Sequence, residues 1–64
     1  MSASDIIVHC RNNAGMTVKE LAEATGIPRS TLSCYETGRI DPPYGKIERI
    51  LKACDYRMYV AKNK

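Results

Sequence analysis

Arg29, Ser30, Ser33, Cys34 and Thr37 lie within nine residues, at spacings that gather them on one side of a helix. A forked guanidinium stands at the start of that side, and short hydrogen-bonding side chains follow it. Such a set can bind and position a partner, but it cannot break a bond. Reaction chemistry would need paired carboxylates, a metal-ligand cluster or a nucleophile beside a base. The chain has one histidine, His9, with no second histidine or carboxylate cluster to join it, so His9 reads as a surface or half-buried residue without a function. Cys10, Cys34 and Cys54 leave an odd count and no CxxC pair, which disfavours both a disulfide scaffold and a zinc site. No phosphate-binding glycine loop is present. The expectation is a binding protein with no catalytic residue, metal or cofactor, and not an enzyme.

Two short helices sharing one glycine turn must hold those residues. Thr17 can cap a helix while Glu20, three residues on, reaches back to the cap's backbone N–H. Val18, Leu21, Ala22 and Thr25 then recur at i, i+3, i+4 and i+7, the period of one buried face, with Lys19 and Glu23 outside. Gly26 suits the left-handed residue that ends a helix, and Ile27 can tuck behind it. Pro28 forbids continuing the same helix but suits the first turn of a new one. On that second helix Leu32 and Tyr35 turn inward, Gly38 stops it, and Arg39 stands just beyond. The predicted pair spans residues 18–25 and 28–37, crossed over the small side chain of Ala22.

In this order Leu21, Ala22, Gly26, Ile27, Leu32, Tyr35, Glu36 and Gly38 resemble the helix-turn-helix of the phage Cro and repressor (XRE) family of transcription regulators. The resemblance covers roughly residues 5 to 54. It implies a four-helix, all-α repressor-like domain whose second motif helix lies in the major groove of double-stranded DNA. Carried over residue by residue, it places Arg29, Ser30, Ser33 and Cys34 toward bases, and Thr17, Thr37 and Arg39 at the DNA backbone. It also implies that Arg11, on a first helix, pairs with Glu36 near the end of the reading helix. Two departures stand out. Val18 occupies a place where relatives often carry a polar phosphate contact, and Pro28 replaces a common Ser or Thr cap. Asp41 adds a negative charge near the expected DNA.

The remaining chain fits around this unit. At 64 residues it makes a single domain near the lower limit for folding unaided, without Phe or Trp, so a helical core of Ile, Leu, Val, Ala, Met, Cys and some Tyr is expected. A first helix over 3–14 starts at a Ser2 or Ser4 cap, lines its inner side with Ile7, Cys10 and Ala14, and ends at Gly15. Pro42 and Pro43 make a loop, and a fourth helix over 44–54 presents Tyr44, Ile47, Ile50, Leu51 and Cys54 as a buried stripe. From Tyr56 to Ala61 the pattern alternates and the residues favour a strand. A lone strand needs a partner, so Tyr56, Met58 and Val60 are expected to join two copies in a homodimer.

The net charge of +3 is uneven. Residues 1–26 carry −1, from Arg11 and Lys19 against Asp5, Glu20 and Glu23, which leaves +4 for the rest and puts the basic side from the second motif helix onward. A polyanion partner would favour that asymmetry. No apolar run is long enough to span a membrane and the start lacks the form of a signal peptide, so a cytoplasmic protein is expected. The function expected is a sequence-specific DNA-binding transcriptional repressor acting as a homodimer on an operator. Two alternatives stay open: an antitoxin that binds DNA and also a toxin protein, and a protein-interaction module that keeps the fold without binding DNA.

Overall fold

Two capping boxes decide where the first half of the chain becomes helical. In the computed structural model, which describes residues 2–55, Ser2 Oγ accepts from the Asp5 N–H at 3.3 Å while Asp5 Oδ2 accepts from the Ser2 N–H at 3.4 Å. Helix α1 (Ala3–Asn13) follows. Thr17 and Glu20 make the same exchange at 3.1 and 2.8 Å and open α2 (Val18–Thr25). Each box satisfies backbone donors that a helix start otherwise leaves orphaned. Helices α3 (Arg29–Thr37) and α4 (Tyr44–Ala53) begin after Pro28 and Pro43, neither with a side-chain cap. Pro28 is the N-cap itself, with ψ 145°, so its extended backbone precedes the first turn instead of forming it.

The regular elements among the described residues are all helices, and α1 and α2 each pack against both α3 and α4. One residue from each helix is completely enclosed: Ile7, Leu21, Leu32 and Ile50. Cys10, Ile27, Tyr35, Leu51 and Cys54 complete the buried cluster. Each fully enclosed Ile or Leu is worth about 1.5 to 3 kcal/mol, so these four side chains are the chief reason four short helices hold together. The two buried thiols are pushed up from their ordinary value by burial, and at Cys54 the nearness of Cys10 adds to the effect.

Two positions expected in the core lie outside it. Tyr44 is 57% exposed as the first residue of α4, directly after the Pro43 cap. Ala14 is exposed as the C-cap of α1, where the chain already turns away through Gly15. The strand expected over 56–61, and with it Tyr56, Met58 and Val60, lies outside the described residues. No helix among the described residues is long and apolar enough to cross a membrane.

Candidate nucleic-acid interface

The turn between α2 and α3 is fixed from inside by one hydroxyl. Thr25 is buried, its Oγ1 donates to the Leu21 carbonyl at 2.8 Å, and the same oxygen accepts from the Ile27 N–H at 3.2 Å. Gly26 makes the reversal at φ 77°, a left-handed conformation that costs glycine little, and its N–H closes on the Ala22 carbonyl at 2.8 Å. Arg49 of α4 reaches the Thr25 carbonyl from outside at 3.5 Å. The angle between the two helices is therefore set by core packing and by bonds at the turn.

From that turn α3 buries only Leu32 and Tyr35. Arg29, Ser30, Ser33 and Thr37 are exposed, and Cys34 is half-buried, so the expected reading residues share the outward side of the helix. Their surroundings differ. Thr37 Oγ1 is turned back onto the Cys34 carbonyl at 3.3 Å, and that carbonyl also receives the N–H groups of Arg39 and Ile40 at the helix end. Gly38, at φ 81°, allows this closure. Thr17 uses its backbone N–H and its hydroxyl lone pair in the capping box, which leaves the hydroxyl proton to give to a partner.

Arg29 and Arg39 carry no ion pair among the described residues, where the one pair is Arg11 with Glu36. That pair is forked: Arg11 Nε donates to Glu36 Oε2 at 2.6 Å and Nη2 to Oε1 at 3.1 Å. The third bond was not legible in the sequence. Arg11 Nη1 donates to the Met16 carbonyl at 2.9 Å, one residue before the Thr17 cap. A single guanidinium thus holds the start of α2 and the end of α3 in one frame. The hydrogen bond that Arg11 donates to Glu36 raises the Arg11 pKa above its ordinary value, against an opposing effect of burial. No side-chain spacing could have revealed Met16, because every residue has a carbonyl.

The outward faces of the two helices meet in an open cleft of about 490 Å³ lined by Val18, Arg29, Ser30 and Ser33. Val18 is half-buried, packed in part against the core. The arrangement presents one free guanidinium, two free hydroxyls and one fixed apolar edge to whatever enters. It can take a surface rich in hydrogen-bond acceptors.

Comparison with known proteins agrees with this geometry. A helix-turn-helix domain family matches residues 8–56. Repressor protein C of Escherichia phage P2 is 38% identical over 56 residues, which is 88% of this chain and 57% of that protein, so the chain spans little more than half the length of the relative. No solved structure gives a significant match. With four helices, a glycine turn between α2 and α3, and a family match across most of its length, the chain belongs to the helix-turn-helix domain family.

Proposed function

We propose that this chain is a sequence-specific binder of double-stranded DNA that represses transcription as a homodimer, with α3 lying in the major groove. The observation that carries the reading is the outward side of α3. Arg29, Ser30 and Ser33 stand free on a helix whose orientation is locked by the Arg11–Glu36 pair and the Thr25 turn. In this reading Arg29 bonds the O6 and N7 acceptors of a guanine, Ser30, Ser33 and Cys34 make weaker base contacts, and Thr17, Thr37 and Arg39 meet phosphates. The likeness to a phage repressor supports the same function.

Enrichment of bound duplexes from a random DNA pool tests the proposal directly. A repressor of this type enriches a two-fold symmetric site whose half-site centres lie about 34 Å apart, one turn of the duplex. Binding weakens steeply as salt rises, because phosphate contacts release counterions. An interaction module that merely shares the fold would enrich nothing and bind DNA weakly at every salt concentration. The dimer is proposed to form through Tyr56, Met58 and Val60, with strand added to strand. Light scattering on a chain ending at Asp55 tests that separately, since persistence of the dimer would exclude those residues as its seam.

A further inference from the structure

We propose that Val18 is a specificity residue that reads the 5-methyl group of a thymine beside the guanine bonded by Arg29. The proposal rests on the DNA-binding reading above and adds a base and a residue to it. Val18 is the first residue of α2, and the capping box of Thr17 and Glu20 fixes its backbone. A β-branched side chain in a helix keeps one strongly preferred rotamer. Part of Val18 packs against the core, and the rest lines the cleft with Arg29, Ser30 and Ser33. The cleft therefore has a rigid apolar edge next to polar donors.

That combination selects its occupant. A phosphate entering the cleft would satisfy Arg29 and the serines but would lose hydration against Val18. Among the four base pairs, the thymine C5-methyl is the apolar group displayed in the major groove, alongside the O4 acceptor of the same base. A thymine edge thus gives its methyl to Val18 and its oxygen to a serine hydroxyl. Because Val18 and Arg29 line one cleft, the two bases they read fall within about two base pairs of each other, a rise of about 3.4 Å per step.

Replacing thymine by uracil deletes that methyl and nothing else. The experiment starts from a site enriched by the whole chain out of a random duplex pool, with each thymine replaced singly by uracil. Affinity is read by fluorescence anisotropy at one fixed salt concentration. One thymine per half-site, within two base pairs of the position sensitive to Arg29→Ala, should lose about fourfold on replacement, the partition of one methyl group. In Val18→Ala, checked for folding by circular dichroism, the thymine and uracil duplexes should bind alike.

The uracil scan needs no variant, so it stands even if Val18→Ala does not fold. If no replacement costs the parent protein more than about 1.5-fold, the proposal fails while DNA reading by Arg29 survives. A methyl effect that persists in folded Val18→Ala assigns the contact to another residue and also overturns it. A pool that enriches no site at all overturns the DNA-binding reading, and this proposal with it.

Discussion

Replacing Glu36 by alanine should remove most of the stability of this domain. The pair is forked, with bonds of 2.6 and 3.1 Å, and its side chains are only 16% and 12% exposed. Hydrogen bonds to charged groups contribute about 1.5 to 3 kcal/mol each. Removing one member of a shielded pair costs about 3 to 5 kcal/mol, because the survivor stays desolvated without its counter-charge. Two features put Glu36→Ala near the lower end. Arg11 keeps its bond to the Met16 carbonyl, and its remaining exposure lets water reach the abandoned N–H groups. The expected loss is about 3 kcal/mol, from a total of roughly 5 for a domain of this size.

Thermal unfolding followed by circular dichroism at neutral pH is the assay. At about 4 to 8 °C per kcal/mol for so small a domain, Tm should fall by about 12 to 24 °C. Glu36→Gln, which keeps one acceptor and the shape but loses the charge, should fall about half as far. The apolar double variant Arg11→Met/Glu36→Leu should recover part of the loss, since it leaves no charge stranded. A Glu36→Ala protein that melts within two degrees of the parent would show that water already satisfies the guanidinium, and the account of α3 being held by α1 would fall with it.

Three further outcomes follow from the same geometry. Gly26→Ala should cost about 1 to 2 kcal/mol in urea unfolding from left-handed strain alone, because an added Cβ there meets nothing within 4 Å; a cost near zero would mean the turn can relax out of φ 77°. Burial raises the folded thiols of Cys10 and Cys54, so above the ordinary value of 9.0 the unfolded chain sheds those protons first, and stability present below that pH is lost as pH rises through the folded values. Unfolding free energy measured between pH 8 and 10.5 should fall as pH rises, by at most about 1.4 kcal/mol per pH unit per thiol, and the fall should flatten in Cys10→Ala/Cys54→Ala. Arg29→Ala should cost about 1 to 3 kcal/mol per half-site on the enriched DNA and relax one base preference, whereas Arg39→Ala should weaken all sequences alike and reduce the salt slope by about one ion per subunit; equal losses for Arg29→Ala on specific and random DNA would make Arg29 a phosphate contact.

What could be read from the residues was local or periodic. Ser2 with Asp5 and Thr17 with Glu20 announce helix starts because both members of each box lie three residues apart. The inward faces of α2 and α3 follow from a 3.6-residue period, which places Leu21, Leu32 and Tyr35 correctly. Periodicity says which residues share a stripe, but not how far the facing helix extends. Tyr44 and Ala14 fall outside the core because they stand at helix ends, the first residue of α4 and the C-cap of α1, which periodicity does not locate. The partnership of Arg11 and Glu36, 25 residues apart, obeys no local spacing rule and was legible only through the family resemblance. The carbonyl contacts made by Arg11 and Arg49 carry no sequence signal at all.

Polar contacts at its two ends explain how α3 can spend its surface outward. A nine-residue helix is too short to be stable by itself, and α3 commits only Leu32 and Tyr35 to the core. A helix with more inward residues would hold itself better and would have fewer positions to present. Here the missing anchorage comes from the helix ends, through Thr25 and Ile27 before its start and Glu36 near its finish. Both anchors are polar and geometrically specific, so they fix rotation about the helix axis as well as position, which apolar packing of two side chains does loosely. Rotation decides which side chains face a partner. Arg11 lies off the outward face of α3 yet helps set the direction in which Arg29, Ser30 and Ser33 point, so on the DNA-binding proposal the stability of this fold and its selectivity would depend on the same guanidinium.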